Sequence, residues 1–459
     1  MLDFNKIHNV YLVGIGGIGM SALARYFKIL GKFVAGYDKN PTDLTKQLIS
    51  EGIDIHFEDN LSLVPEQVLS QKDTTLVIYT PAIPNYHYEF NYFHEREYLV
   101  LKRAEVLGLI FSNRKGIAVA GTHGKTTTST MIAHILKQSA IDCNAFLGGI
   151  SKNYNSNLLL SEKSDIIVTE ADEFDRSFLK LYPHLAVVTS VDADHLDVYG
   201  NKEEVIKSFN KFVNQIATNG ILIYKKGISL SIENVKSLNV FTYSATEEAD
   251  FFPFNISMFE GLYRFDVQTP LGQISDITLG IPGIMNLENA IASIAATYLL
   301  EAKPAEIRKA LADFKGVKRR FEYHIKTPQL VYIDDYAHHP EEIKACITSV
   351  RKIFSDKHIT GVFQPHLYTR TRDFADGFAE SLNLLDELIL LDIYPAREQS
   401  IEGVSSEMIL KNVTIRNKSI CKKEQLLDVL KTKQIEILIT MGAGDIDKFV
   451  EPIKSILMK

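Results

Sequence analysis

Apolar, strand-like segments alternate with helical segments along the chain. Residues 10–13 form an apolar strand pattern, residues 14–19 a glycine-rich turn, and residues 21–30 a segment with helical periodicity. The same order restarts at 116–120, 121–125 and 126–138. It restarts again at 330–333, before a helix that begins near Pro340 with acidic residues in its first turn. Strand and helix patterns that alternate in this way predict parallel α/β structure.

Chain length and the remaining patterns predict three domains. At about 150 residues per domain, a chain of 459 residues is expected to form about three. We place a Rossmann-like domain at 1–108, a central P-loop-type mononucleotide-binding domain with extra strands at 109–318, and a second Rossmann-like α/β domain at 319–459. Further strands are predicted at 33–37, 75–79, 165–168, 185–189, 261–266, 274–278, 359–363, 387–391 and 436–440.

Composition indicates a compact protein of the cytoplasm. The hydrophobic fraction of 46% and the charged fraction of 23% are near the averages for globular chains. There is no run of about 18 apolar residues and no signal-peptide pattern, so we expect neither a membrane span nor export. The net charge of −7 argues against nucleic-acid binding but not against small phosphorylated ligands. The 3 cysteines lack metal or disulfide spacing and are expected to be buried.

The first glycine-rich turn, Gly14 to Gly19, fits the pattern G-x-G-x-x-G between a strand and a helix, and Asp38 ends the next strand. Glycines let the backbone approach a diphosphate closely, and a helix N-terminus offers free N–H groups. The diphosphate of NAD and that of UDP satisfy this description equally. A tight turn without a ligand is the alternative, and the strand–turn–helix context favours ligand binding.

The second turn, residues 121–128, places Gly-Lys-Thr where a strand ends and a helix begins. Lys125 would neutralise β- and γ-phosphate charge, and the Thr126 hydroxyl would reach Mg²⁺. Val119 stands where the general P-loop pattern has its first glycine, so a shortened loop is implied. Glu170, the first carboxylate of 170–173, follows a strand and is a candidate Mg²⁺ ligand. Residues 190–197 supply three more carboxylates and His195, which could bind a second metal ion or be structural.

Taken in order, these motifs closely resemble those of the Mur ligase family over essentially the whole chain. The motifs lie at 14–21, 121–128, 170–173, 194–195, 282–289, 319–321, 334–340, 363–370 and 442–444. The resemblance implies that UDP binds the first domain, ATP the middle domain and the amino acid the third. It implies ATP-dependent ligation of L-alanine to the lactyl carboxylate of UDP-N-acetylmuramate through an acyl phosphate, releasing ADP and phosphate, in peptidoglycan precursor synthesis. Two Mg²⁺ ions and a monomer or weak homodimer are expected.

The resemblance also implies residue roles. The expected catalytic residues are Lys125, His195, Arg320 and His338. The expected Mg²⁺ ligands are Thr126, Glu170 and, on a second ion, His195. The expected ATP contacts are Gly121, Thr122, His123, Gly124, Lys125, Thr126, Thr127, Asn286 and Asn289 (adenine), and Arg320 and Asp335 (phosphates and ribose). The expected sugar-nucleotide contacts are Gly14, Gly16, Gly17, Ile18, Gly19, Met20, Ser21 and Asp38. The expected amino-acid contacts are Tyr336, His338, Arg370 and Arg397.

Three positions depart from many members of the family. Leu367 stands where an arginine is common, and Arg397 where a glycine is common, so our hypothesis is that Arg397 supplies the missing guanidinium. Met285 replaces a frequent histidine beside the adenine asparagines. Some relatives hold the second metal with a carbamylated lysine. Lys202, Lys207 and Lys211 follow His195 on a predicted helix, but an exposed helix face is the better interpretation of all three.

Other functions compete with this interpretation. An NAD-dependent oxidoreductase would explain the first glycine turn with Asp38 but not the second turn. A sister ligase that attaches a recycled peptide to the same sugar nucleotide would share the chemistry, although the Gly-Met-Ser continuation of the first turn favours alanine. A nucleotide-gated binding protein would not need His338 and Arg370. The sequence leaves the preference among alanine, serine and glycine open, because these differ by contacts worth about 1–3 kcal/mol.

Overall fold

A computed structural model describes residues 2–112, 114–192, 196–232, 237–396 and 398–458. Its strands form four sheets, of five, seven, three and six strands, and helices connect most of the parallel ones. This architecture confirms the α/β prediction. Over the described residues no helix is both long and apolar enough to cross a membrane.

The first sheet is wholly parallel and has the order β3-β2-β1-β4-β5. Strand β1 is buried along its whole length, with β2 on one side and β4 on the other. The chain therefore reverses its direction of winding next to β1, and such switch points form ligand crevices at the carboxyl ends of the strands. The elements are β1 (Asn9–Val13), α1 (Ile18–Ile29), β2 (Phe33–Tyr37), α2 (Asp43–Ser50), β3 (Asp54–His56), α3 (Glu66–Ser70), β4 (Thr75–Tyr79), α4 (Tyr88–Glu95), β5 (Leu99–Lys102) and α5 (Arg103–Ser112).

The second sheet repeats this arrangement with more strands, in the order β12-β11-β10-β6-β9-β7-β8. Every recorded pairing is parallel except that of β7 with β8. Strand β6 lies between β9 and β10, which creates a second switch point. The elements are β6 (Lys115–Ala120), α6 (Lys125–Lys137), β7 (Asn144–Ser151), β8 (Ser156–Leu159), β9 (Ile166–Glu170), β10 (Leu185–Val188), α7 (Leu196–Tyr199), α8 (Lys202–Val213), β11 (Ile221–Lys225) and β12 (Asn239–Tyr243).

A small three-stranded sheet and two helices follow. They are β13 (Phe252–Phe259), β14 (Leu262–Thr269), β15 (Gly272–Thr278), α9 (Ile284–Tyr298) and α10 (Pro304–Asp313). The strands predicted at 261–266 and 274–278 are found here as β14 and β15, and both are longer than the sequence pattern indicated.

The last sheet has the order β16-β17-β21-β18-β19-β20, with β16 antiparallel to β17 and the other pairs parallel. Helix α11 starts at Pro340, as predicted; His339 caps it, and Glu341 and Glu342 occupy its first turn. The elements are β16 (Glu322–Lys326), β17 (Val331–Asp335), α11 (Pro340–Ile353), β18 (Ile359–Phe363), α12 (Tyr368–Asp373), α13 (Ala375–Leu382), β19 (Glu387–Leu391), α14 (Ser406–Asn412), β20 (Asn417–Cys421), α15 (Leu426–Lys431), β21 (Ile437–Met441) and α16 (Val450–Leu457).

Sequence patterns found the central strands and missed several peripheral ones. Nine strands were not predicted: β3, β5, β7, β8, β11, β12, β13, β16 and β20. Several of them are short or carry exposed polar positions; β20, an edge strand, is exposed at three of its five residues. An edge strand needs no continuous apolar run, because only one of its sides pairs with the sheet.

The chain divides into two compact units. One contains 1–255, 265–277 and 289–314, and the other contains 256–264, 278–288 and 315–459. The first and second sheets thus belong to one unit. The domain limits predicted at 108/109 and 318/319 stay predictions. All three cysteines are buried and unpaired by disulfides, as expected.

Candidate functional site

The first glycine turn leads from β1 into α1 at the switch point of the first sheet. Gly14 has a φ of 89°, and its N–H and that of Ile15 both donate to the Tyr37 carbonyl. The Gly16 N–H donates to the Asp38 carboxylate at 2.8 Å. Asp38 therefore braces the turn, an arrangement that the sequence did not reveal. The amides of Ile18, Gly19 and Met20 meet no acceptor in the described part of the chain, which leaves them for a ligand.

Two side chains predicted to contact the sugar nucleotide are engaged inside the protein. Met20 is buried, and the Ser21 hydroxyl donates to the Ile18 carbonyl at 2.8 Å. Asn157, on β8, donates to that carbonyl at 2.6 Å and to the Ser21 hydroxyl at 2.9 Å. It also accepts from Arg25 at 2.5 Å. Asn157 thereby fixes α1 against the second sheet, and no sequence motif singled it out.

The second turn leads from β6 into α6 at the switch point of the second sheet. Gly121 has a φ of 134°, and a Cβ there would lie 2.1 Å from the Thr189 hydroxyl. The Ser190 hydroxyl lies 2.7 Å from that of Thr122 and accepts from the His123 N–H at 2.8 Å. Residues after β10 thus shape the turn from the side. Gly124 has a φ of 82° and starts the helix.

Lys125, the first residue of α6, folds back over its own turn. Its ammonium donates to the Gly121 carbonyl at 2.7 Å and lies 2.8 and 3.0 Å from the two carboxylate oxygens of Glu173. Glu173 is only 1% exposed. Burial alone would lower the pKa of Lys125, but Glu173, followed by Glu170 and Asp172, outweighs burial and raises that pKa above its ordinary range. Lys125 is therefore charged at neutral pH and has an internal partner, Glu173, to which sequence reasoning gave no role.

Thr126 and Glu170 lie together beside this lysine. The Thr126 hydroxyl donates to the Glu170 carboxylate at 2.8 Å, so α6 and the end of β9 bring two hard oxygen donors to one point. A Cβ on Gly148, in β7, would lie 1.8 Å from the same carboxylate, so only glycine leaves room for it. The donor chemistry fits Mg²⁺. The described residues contain no group of three or more His, Cys, Asp or Glu side chains able to hold a metal ion.

The proposed second metal ligand, His195, lies outside the described residues. Two described residues before it contact the second glycine turn. Ser190 accepts from the His123 N–H, and Asp192 lies 3.7 Å from the His123 ring. Lys202, Lys207 and Lys211 are on α8 with exposed side chains, which agrees with the exposed-face interpretation.

The two predicted adenine contacts, Asn286 and Asn289, lie in the first two turns of α9. Asn289 is buried and accepts from the Thr128 hydroxyl at 3.2 Å, and a Cβ on Gly124 would lie 2.7 Å from its amide oxygen. Asn286 donates to the Pro282 carbonyl at 2.6 Å. Met285 is 38% exposed, so its side chain is accessible next to both asparagines.

Arg320 and Asp335 are neighbours in the other unit. The Arg320 guanidinium lies 4.9 Å from the centre of the Tyr336 ring and 3.9 Å from Glu342. Asp335 accepts from the amides of Phe321 and Ala337, both at 2.7 Å. Burial raises the pKa of Asp335 to about 6, although Arg320 and these N–H groups favour the charged form.

The predicted amino-acid contacts also lie in this unit. His338 Nδ1 is 2.9 Å from the Tyr336 carbonyl and 3.3 Å from Glu342. Arg370 is buried and lies 3.5 Å from His366, whose ring stacks on Tyr394. Leu367, between these residues, has a φ of 70°, which is uncommon for leucine. Arg397 lies outside the described residues.

Sequence profiles of three protein domains match the chain. They are the Mur ligase family catalytic domain at residues 9–115, the Mur ligase middle domain at 119–297, and the Mur ligase glutamate ligase domain at 319–444. The chain belongs to the Mur ligase family. Membership confirms the predicted family and the three-domain α/β class, and it excludes the oxidoreductase interpretation of the first turn.

Individual Mur ligases match over their full length. The chain is 55% identical to the UDP-N-acetylmuramate–L-alanine ligase of Parabacteroides distasonis, covering 100% of this chain and 99% of that protein. It is 51% identical to the enzyme of that name from Flavobacterium psychrophilum, with 99% of each chain covered. The crystal structure of the UDP-N-acetylmuramate–alanine ligase from Thermotoga maritima superimposes with a TM-score of 0.81 at 27% identity, over 98% of this chain and 99% of that one.

Proposed function

We propose that the protein is the ligase that joins L-alanine to the lactyl carboxylate of UDP-N-acetylmuramate, with conversion of ATP to ADP and phosphate, in peptidoglycan precursor synthesis. The observation that carries the proposal is identity of 50% or more to UDP-N-acetylmuramate–L-alanine ligases over the full length of both chains. The phosphate turn with Lys125, Thr126 and Glu170 supports ATP as co-substrate.

The chemical problem is phosphoryl transfer between two anions. The muramyl carboxylate attacks the γ-phosphorus of ATP, its new bond to phosphorus replaces the bond to the ADP oxygen, and ADP leaves. The alanine amine then attacks the acyl carbon, an amide forms, and inorganic phosphate departs with the C–O bond electrons. Catalysis consists mainly of placing positive charge and N–H donors around these anions.

Lys125 would neutralise the γ-phosphate after leaving the Gly121 carbonyl and Glu173. N–H and hydroxyl groups of the same turn would surround the phosphates. They belong to Gly121, Thr122, His123, Gly124, Thr126 and Thr127. Thr126 and Glu170 would hold Mg²⁺, which would supply further positive charge at the phosphates. His195 is proposed for a second ion. Asn286 and Asn289 would contact adenine, and Arg320 and Asp335 the phosphates and ribose.

In the other binding sites the same principles apply. The N–H groups of Ile18, Gly19 and Met20 would bind the UDP diphosphate, and Asp38 would hold the turn before them in place. Tyr336, His338 and Arg370 would receive alanine, because a guanidinium matches its carboxylate. We also propose that Arg397 supplies the guanidinium that Leu367 lacks; an unchanged KM for alanine in Arg397→Ala would contradict this. A cytoplasmic monomer or weak homodimer, without nucleic-acid or membrane partners, remains part of the proposal.

Phosphate release tests the function directly. Purified protein is assayed with ATP, Mg²⁺ and UDP-N-acetylmuramate, and receives L-alanine, glycine, L-serine or a cell-wall tripeptide in turn. Release that requires both the sugar nucleotide and L-alanine, with the highest kcat/KM for L-alanine, is expected. Stimulation by the tripeptide alone would assign the peptide-attaching ligase instead, and no turnover with any acceptor would refute the ligase proposal.

A further inference from the structure

Arg103 lies beside the first glycine turn although it is distant from it in sequence. It is the first residue of α5, directly after β5, at the carboxyl edge of the sheet where the turn after β1 also lies. A Cβ on Gly19 would be 2.6 Å from Nη1 of Arg103 and 3.1 Å from its Cδ. The guanidinium thus lies against Gly19, in the space beside its Cα, over the first turn of α1.

The donors of this guanidinium are almost unused. Within the described part of the chain Arg103 makes one polar contact, a 3.8 Å ion pair with Asp172, which is too long for a hydrogen bond. Its side chain is nevertheless only 23% exposed. Arg25, on α1, shows the opposite case: its guanidinium bonds both carboxylate oxygens of Glu51 and the amide of Asn157. Arg25 therefore has a structural role, whereas Arg103 has several donors available to a ligand.

Only Asp172, at 3.8 Å, faces Arg103 with negative charge among the described contacts, and the start of α1 beside the guanidinium opposes a positive charge. The N-terminus of α1 carries the positive end of the helix dipole, and a cation there is repelled, whereas an anion is attracted. The amides of Ile18, Gly19 and Met20, at the same helix start, meet no acceptor among the described residues. A phosphate group at this point would be reached by backbone N–H groups and by the guanidinium together, and it would replace Asp172 as the partner of Arg103.

We propose that Arg103 binds the diphosphate of the sugar nucleotide at the Gly14–Gly19 turn and supplies the cation that this turn lacks. This inference rests on the proposed function, because it assumes that a UDP-sugar occupies the first sheet. It assigns Arg103 to substrate binding and not to the phosphoryl-transfer step. The guanidinium can bond two phosphate oxygens with two parallel N–H donors held in one plane, a fixed geometry that the rotating ammonium of a lysine does not provide.

The test is binding of UDP and of uridine to the full-length protein by calorimetry, with a saturating non-hydrolysable ATP analogue, together with KM values for all three substrates. For Arg103→Ala we expect weaker UDP binding by about ten- to hundredfold, unchanged uridine binding, a matching rise in KM for UDP-N-acetylmuramate, and unchanged KM for ATP. Arg103→Lys should lie between wild type and Arg103→Ala. Lys102→Ala, which removes a neighbouring cation paired with Asp175 at 3.7 Å, should stay within about twofold of wild type.

Three results would overturn the inference. UDP affinity equal to wild type in Arg103→Ala would show that the guanidinium does not contact the diphosphate. Equal losses for UDP and uridine would show that Arg103 only maintains the turn. Unchanged UDP affinity with weakened UDP-N-acetylmuramate would move Arg103 to the sugar or its carboxylate. Failure of the proposed function is distinguishable, because it would appear in the wild type as lack of UDP binding and of turnover.

Discussion

The two glycine turns share a position in their sheets but obtain positive charge in different ways. Each follows a central parallel strand and begins a helix at a switch point. The second turn contains its own cation, Lys125, which forms an ion pair with Glu173. The first contains no cation and is braced by an acid, Asp38. If Arg103 binds a phosphate at the first turn, the positive charge at that turn comes from a residue at the end of another strand, β5. A phosphate site can therefore be encoded within one motif or assembled by the fold.

Removing the lysine of the second turn should have the largest effect. Lys125→Met is expected to lower kcat for phosphate release by roughly 10²–10³, because the transferred phosphoryl group loses its positive partner. UDP binding at the first turn should not change. Lys137→Met, on the same helix but paired with Asp142, is the control. Retention of more than about a tenth of the wild-type kcat would remove Lys125 from the chemical step.

Adding a methyl group beside the Thr126–Glu170 pair should have the next largest effect. The Cβ of Gly148→Ala would displace the Glu170 carboxylate, so the Mg²⁺ concentration for half-maximal rate should rise by about tenfold or more. Gly200→Ala, where the φ of 81° strains a side chain but no atom lies within 4 Å of the Cβ position, controls for the general destabilisation caused by replacing a glycine. An unchanged Mg²⁺ requirement in Gly148→Ala would show that Glu170 does not bind the ion.

The pH dependence of the reaction can show whether Glu173 keeps the Lys125 ammonium protonated. In the wild type the raised pKa keeps the ammonium charged, so loss of its proton should not limit the rate at moderately alkaline pH. In Glu173→Gln burial still lowers the pKa while the largest opposing contribution is gone. The alkaline decline of kcat/KM for ATP should therefore move to lower pH by about one unit or more. Glu105→Gln, whose partner is the exposed Lys180, should leave the profile in place; superimposable profiles for wild type and Glu173→Gln would contradict the prediction.

The smallest expected effect is that of a methyl group in the first turn. Gly19→Ala would push the Arg103 guanidinium aside, but a flexible side chain can move. We expect KM for UDP-N-acetylmuramate to rise by a factor of about two to five, with KM for ATP unchanged. A larger rise than in Arg103→Ala would show that Gly19 acts through its backbone and not by making room for the guanidinium.

The sequence alone determined the contiguous features of this protein. The turns at 14–19 and 121–125, the buried central strands and the start of α11 follow from local rules of hydrophobic period, glycine conformation and helix capping, because each depends on residues close together in the chain. The family followed from many such motifs in order. The family resemblance implied that Thr126 and Glu170 hold the same Mg²⁺ ion, and the two side chains do lie within hydrogen-bond distance of each other.

Only the tertiary structure decided which distant side chains meet at the turns. The contacts of Glu173 with Lys125, Gly148 with Glu170, Asn157 with Ser21, and Arg103 with Gly19 join segments far apart in the chain. They depend on the order of strands across each sheet. In the first sheet β4 lies beside β1 and β5 beside β4; in the second sheet β9 lies beside β6 and β7 beside β9. Strand order is set by packing of whole sheets and helices, and no local pattern carries it. For that reason the motifs predicted the two phosphate-binding turns, while the contacts around these turns emerged from the fold.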